Sequence, residues 1–184
     1  MERVMIVGAP GSGKSTLARA MGARLGLPVV HMDHIHWQAG WVERSRTEKT
    51  RLVEAVHARA CWILEGGHSV TYPGRLARAD VMVWLDVPLG LRIWRVLRRS
   101  WIYRGQNRPD LPEGCLEGFG WQTVEFLNFI VTTRRRARAR LMAIVADPPP
   151  HLRVVRLRNL KEVRGFLEGL EGERGQGPVD VGDR

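Results

Sequence analysis

The sequence predicts an α/β fold in which a parallel sheet of five strands is covered by helices on both faces. Two observations carry this. Short apolar runs recur with almost no polar interruption, the signature of strands buried on both faces, and segments with a 3.6-residue apolar period separate them. In chain order, residues 4 to 7 form the first strand. Residues 15 to 25 form a helix with Leu17, Ala20, Met21 and Leu25 on one side, stopped by Gly26. Leu27 to His31 is the second strand, and Met32 to Trp41 is irregular and rich in His and Trp. Thr47 to Ala60 is an amphipathic helix, and Cys61 to Leu64 is a strand ending at Glu65-Gly66-Gly67. Val81 to Leu85 is a strand ending at Asp86 and Pro88, and Leu89 to Trp101 is a basic helix. Tyr103 to Gly120 is a Gly/Pro-rich excursion, followed by a long helix over Gln122 to Val145, a strand over Leu152 to Leu157 and a helix over Leu160 to Leu170. The organisation expected is one domain over residues 1–170, with a lid at about 101–121, and a disordered Gly-rich, charged tail over 171–184.

Composition bounds the function. The 184 residues are 44% hydrophobic and hold no apolar run long enough for a membrane span. The N-terminus lacks the basic, apolar and cleavage regions of a signal peptide, so the expected location is the cytoplasm. Cys61 and Cys115 stand in no metal-ligand or redox spacing and are expected to be reduced thiols. The formal net charge is +10, almost all of it arginine, since lysine occurs only at positions 14, 49 and 161. Arginine forks suit phosphate and carboxylate, and the same charge is compatible with nucleic-acid binding.

The strongest motif is Gly8-Ala9-Pro10-Gly11-Ser12-Gly13-Lys14-Ser15, which fits G-x-x-x-x-G-K-[ST] between a strand and a helix. Glycines let successive N–H groups turn inward as a nest for phosphate oxygens at the positive end of the following helix. The expected nucleotide-binding set is Gly8, Pro10, Gly11, Ser12, Gly13, Lys14, Ser15 and Thr16. Lys14 reaches the β and γ phosphates of ATP, and the Ser15 hydroxyl ligates Mg²⁺. Because ligands bind beyond the carboxyl ends of parallel strands, Lys14, Asp33, Glu65 and Asp86 are expected to share one crevice.

The chain resembles the small P-loop family known as DNA topology modulation proteins, relatives of adenylate and shikimate kinases. The resemblance rests on GAPGSGKST, HMDHIHWQAGWVERSR, ILEGG, RLARADVMVWLDVP and WRVLRRSWIYRGQNRPDLPEGC. It implies a three-layer P-loop fold of the nucleoside-monophosphate-kinase type and an ATP- and Mg²⁺-dependent phosphotransferase acting on a small acceptor. Shikimate kinases carry Asp-x-Asp after the second strand, and this chain has His31-Met32-Asp33, so the first acid is missing. Asp33 either orients and deprotonates an acceptor hydroxyl or caps the segment that follows.

The resemblance to adenylate kinases makes Glu65 the acid near Mg²⁺, favoured over Asp86 because its strand should neighbour the first; the other reading has Glu65 capping a turn. Trp37, Arg46, Gly66, Gly67 and Arg75 are the expected acceptor contacts, and Arg98, Arg104 and Arg108 the lid arginines that close over the transferring phosphoryl. Arg158 is placed beside the adenine, and Trp94 and Trp101 in helix packing. The basic run from Arg134 to Arg140 is read as mostly solvated, with Arg134 and Arg135 reaching the site. The second function class is a nucleotide-binding regulator using that basic helix on nucleic acid.

Overall fold

The computed structural model describes residues 1–174, with side chains described as far as Leu170. Its main sheet is five-stranded and wholly parallel, in the order β2 (Val29–His31), β5 (Trp62–Glu65), β1 (Arg3–Gly8), β6 (Val81–Leu85) and β7 (Arg153–Leu157). A separate two-stranded antiparallel hairpin, β3 (Trp37–Gln38) with β4 (Val42–Glu43), stands apart from it.

Alternation along β1 explains the two layers. Met5 and Val7 face one side with Trp62, Leu64, Met82 and Trp84. That side is covered by α2 (Met32–His36), α3 (Arg46–His57), α4 (Tyr72–Arg78) and the C-terminal half of α6 (Trp121–Ala146), through Ile35, Val53, Leu76 and Leu141. Val4 and Ile6 face the other side, packed by Leu17 and Met21 of α1 (Lys14–Leu25) and Phe166 of α7 (Leu160–Arg174). Each fully buried aliphatic side chain contributes about 1.5–3 kcal/mol, which is why the inner strands β5 and β6 carry no polar residue before their last position, whereas the edge strand β7 carries Arg153 and Arg156.

Several boundaries differ from the sequence expectation. The second strand begins at Val29 because Pro28 lacks an N–H and contributes only its carbonyl, which accepts from Ile63 N–H at 2.8 Å. The segment read as irregular after it holds α2 and the hairpin, elements too short to show a period. The unassigned stretch after Gly67 holds α4, entered through Pro73 in its first turn. Helix α7 runs on to Arg174, four residues into the stretch expected to be disordered, and residues 175–184 lie outside the described residues. Among the described residues no helix is long and apolar enough to cross a membrane.

Helix α5 (Leu89–Ile102) leads from β6 into the excursion, which folds back on itself through single bridges from Arg104 to Glu117 and from Asn107 to Leu116. The excursion then docks on the hairpin. Trp41 Nε1–H donates to Leu116 O at 2.9 Å, and Cys115 Sγ–H donates to Gln38 O at 3.2 Å. The excursion therefore lies against the β3–β4 hairpin.

Candidate active site

The carboxyl ends of β1, β2, β5 and β6 open into a cleft of about 1820 Å³, walled by α5, α6, the hairpin and the excursion. Lys14, Asp33, Glu65 and Asp86 all border it. The loop from Gly8 to Ser15 forms its floor. Gly11 has φ +75°, and a Cβ there would fall 2.5 Å from the Arg92 carbonyl oxygen, so only glycine lets α5 press onto the loop. Gly13 is left-handed at the N-cap of α1, which turns the first N–H groups of that helix into the loop. Among the described residues Ser12 Oγ is buried with no hydrogen-bond partner, and Lys14 Nζ reaches only Ala9 O at 3.4 Å. Inward N–H groups, a loosely held ammonium and an orphaned hydroxyl are a cradle suited to phosphate oxygens.

Beside the loop, Ser15 Oγ–H donates to Glu65 Oε1 at 3.0 Å, and His31 Nδ1 lies 2.8 Å from the same oxygen. Burial works to raise the Glu65 pKa, but the His31 bond, the charges of Lys14 and His31, and the Ser15 bond outweigh it and hold it below the ordinary value. Glu65 is thus a carboxylate, and the histidine carries its proton on Nδ1. This also settles the turn-cap reading, because both bonds to the Glu65 carboxylate come from outside its own turn. A hydroxyl and a carboxylate oxygen are the hard donors Mg²⁺ takes, so Ser15 and Glu65 fit that ion.

Asp33 sits in the first turn of α2, whose N-cap is His31 with no side-chain cap bond, so it does not cap the segment. Its carboxyl is pushed above the ordinary value, first by burial and then by Glu65 and Asp110, against the pull of Lys14 and Arg108. Gly66 has φ +109°, and a Cβ there would meet Met32 Cβ at 2.5 Å; Gly67 has the Tyr72 hydroxyl nearby. Trp37 lines the cleft, edge-on to Trp41 at 5.3 Å between ring centroids.

The arginines divide differently from the expectation. Arg98 borders the cleft over the face of Trp94, and Arg108 borders it while paired with Glu117 and Asp110, the lid's own carboxylates. Arg104 in the excursion and Arg158 beside Glu162 are both exposed, and neither lines the cleft. Arg46 begins α3 and points to a shallow outer groove with Thr50 and Val70. Arg75 is fully buried. It donates to Gly66 O at 2.9 Å and to Met32 Sδ at 3.5 Å, and burial pulls its pKa down to about 10, still charged at neutral pH. It holds the glycine step from behind and does not face an acceptor.

Arg95 belongs to the arginine cluster around the excursion and Asp86 to the expected crevice, but their specific contacts, and the reach of α6, were not foreseen. Arg95 NH1 donates to Ser12 O at 3.0 Å, fastening α5 to the loop. Asp86 is clamped by Arg138 of α6 and by Arg156, which lies over the Trp84 ring. Five arginines of α6, from Arg134 to Arg140, border the cleft where two were expected, because the cleft follows the helix lengthwise. The amphipathic spacing of α5 was the available signal for Arg95; the α6 arginines offered none, since their run covers the whole circumference. Trp94 and Trp101, expected in packing, are 57% and 64% exposed.

The sheet order, the phosphate-cradling loop and the flanking helices define a P-loop NTPase-like α/β fold. Residues 4–64, about a third of the chain, match the ATPase family associated with various cellular activities (AAA). No curated protein sequence matches. Among solved structures, the chain is similar to a shikimate kinase from Acinetobacter baumannii in complex with shikimate, with TM-score 0.58 and 18% identity over 97% of this chain and 96% of that one. It is also similar to a gluconokinase from Sinorhizobium meliloti 1021, with TM-score 0.52 and 14% identity over 95% of each. At these identities the shared property is the fold.

Proposed function

We propose that the protein is an ATP- and Mg²⁺-dependent phosphotransferase that acts on a small hydroxylated acceptor in the cytoplasm. The observation that carries this is the gathering of Lys14, Ser15, Asp33 and Glu65, from three strand ends, around one phosphate cradle. The similarity to a shikimate kinase and a gluconokinase supports a small-molecule acceptor. Residues 1–170 act as one domain with the lid at about 101–121.

In this reading the loop amides and Lys14 hold the triphosphate, and Arg95 keeps α5 pressed to the loop. Ser15 and Glu65 hold Mg²⁺, which when bound neutralises charge on the phosphates. The acceptor lies between Asp33, Trp37 and the Gly66-Gly67 step. Its hydroxyl oxygen bonds to the terminal phosphorus as the bond to the ADP oxygen breaks, and its proton passes to Asp33, whose raised pKa suits it to accept. Arg98 and Arg108 face the phosphoryl under the closed lid, which excludes water. The test is a panel of nucleoside monophosphates, sugars and hydroxylated metabolites assayed for ADP production against a Lys14→Ala control. An acceptor that raises ADP release above that control is expected; a panel with none removes the reading.

A second reading is favoured by one observation: Arg134, Arg135, Arg136 and Arg140 border the cleft with no carboxylate in ion-pair distance among the described residues. A nucleotide-binding regulator could use them on nucleic acid. Its binding would then weaken steeply with salt, by about one log unit per log unit of salt for each phosphate neutralised.

A further inference from the structure

His31 ends β2 and Glu65 ends β5, and the two are register partners across the parallel pair. Their side chains meet at the carboxyl edge of the sheet, next to Ser15. One oxygen of Glu65, Oε1, takes both the His31 Nδ1–H and the Ser15 Oγ–H, and Oε2 takes no bond among the described residues. Both side chains are almost closed to solvent, at 11% for His31 and 3% for Glu65. The imidazole serves neither a helix cap nor the aromatic wall of the acceptor end.

A glutamate at the end of a strand has three free torsions, and fixing such a side chain costs conformational entropy. Two hydrogen bonds to a single oxygen, from two different elements, set the plane of the carboxylate and leave its second oxygen without a partner among the described residues, on a side chain that borders the cleft. We propose that His31 is a positioning residue for the metal–nucleotide site: it acts through Glu65, holding the carboxylate so that Oε2 serves the cation beside Ser15. The position that carries an acid in shikimate kinases here carries the donor that fixes an acid borrowed from the neighbouring strand. The inference rests on the phosphotransferase reading for the cation and the nucleotide, and is independent of the acceptor.

The test is binding of Mn²⁺ with ADP to the full chain, followed by electron paramagnetic resonance, for wild type, His31→Leu and His31→Asn. Asparagine places an N–H donor close to the position of Nδ1, and leucine keeps volume without a donor. The expected result is an Mn²⁺ Kd raised about tenfold or more in His31→Leu, the usual scale for losing a partner of a metal-site carboxylate. His31→Asn is expected within about threefold of wild type, and ADP binding in chelator is expected to be unchanged in both. With a known acceptor, the loss in His31→Leu falls on the Mg²⁺ requirement and leaves the acceptor KM alone. Wild-type affinity in His31→Leu overturns the role of His31, as does a His31→Asn as weak as His31→Leu at unchanged melting temperature. A wild-type protein that binds neither Mn²⁺ nor ADP overturns the phosphotransferase reading itself, a different result.

Discussion

The two ends of the cleft are built by different means. The donor end is a continuous stretch, Gly8 to Thr16, in which backbone amides and one lysine do the work, with a few side chains arriving from neighbouring strands. The acceptor end has no continuous stretch. It is assembled from α2, the seven-residue hairpin from Trp37 to Glu43, the glycine step after β5, and the proposed lid, which docks through Trp41, Cys115 and Leu116. A backbone cradle survives many side-chain changes but fails with its one lysine, whereas an assembled pocket should lose function in smaller portions.

The largest effect expected is therefore at the donor end. Lys14→Ala removes the charge that faces the phosphates, and loss of one such group costs about 10²–10³ in rate. Assay of ADP formation, with the fold checked by circular dichroism, measures it; a drop under about tenfold would erase the distinction between the ends.

At the acceptor end the largest loss expected is from Asp33→Asn, at about 10²-fold or more in kcat with nucleotide affinity unchanged. The wild-type pH profile gives a second reading of the same group. Burial and the neighbouring Glu65 and Asp110 raise its pKa, and the form that accepts a proton is the carboxylate. The rate should thus increase with pH through a value above the ordinary 3.8, and fall as acid protonates Asp33. An acid limb at the ordinary aspartate value, measured as kcat against pH, contradicts this assignment.

The same contrast explains what the sequence disclosed. The loop was legible because its chemistry needs glycine, lysine and serine at fixed spacing, and β6 was legible to the residue because both its faces are apolar. The Glu65 strand neighbours β1 as the resemblance implied, but so does the Asp86 strand, so adjacency does not separate the two acids; the contact that does is that of the Glu65 carboxylate with Ser15, while Asp86 is taken by Arg138 and Arg156. Arg46 and Arg75 were misplaced because an arginine near a site reads alike in sequence whether it points in, out or behind. Only packing decides: Arg75 lies between Gly66 and Met32, and Arg46 borders a separate groove with Thr50 and Val70. The docking of the excursion on the hairpin was equally illegible, since it depends on single bonds between segments about 75 residues apart.

That correction separates two variants. Arg75→Met removes a bond from a charged donor to the buried Gly66 carbonyl, worth about 1.5–3 kcal/mol, and at about 2–4 °C per kcal/mol for a chain of this size the melting temperature should fall by several degrees. Arg46→Ala, on an exposed position, should stay within about 0.5 kcal/mol and leave the acceptor KM unchanged. Calorimetry on the pair measures the stability difference. A stable Arg75→Met that instead loses acceptor affinity would return Arg75 to the pocket.

The smallest effect tests how the lid is joined to the acceptor end. Trp41 is the single non-glycine residue with positive φ among the described residues, at +62°, held there by its neighbours. Trp41→Phe keeps an aromatic ring against Trp37 and keeps the same backbone demand, so the change isolates the Nε1–H bond to Leu116 O. A neutral hydrogen bond is worth about 1 kcal/mol, so the lid should open more often and the acceptor KM should rise about fivefold, with kcat nearly unchanged. Steady-state kinetics in both substrates measure it. A loss confined to the nucleotide KM would mean that the lid belongs to the donor end, and that the cleft is divided along α5 and not along the hairpin.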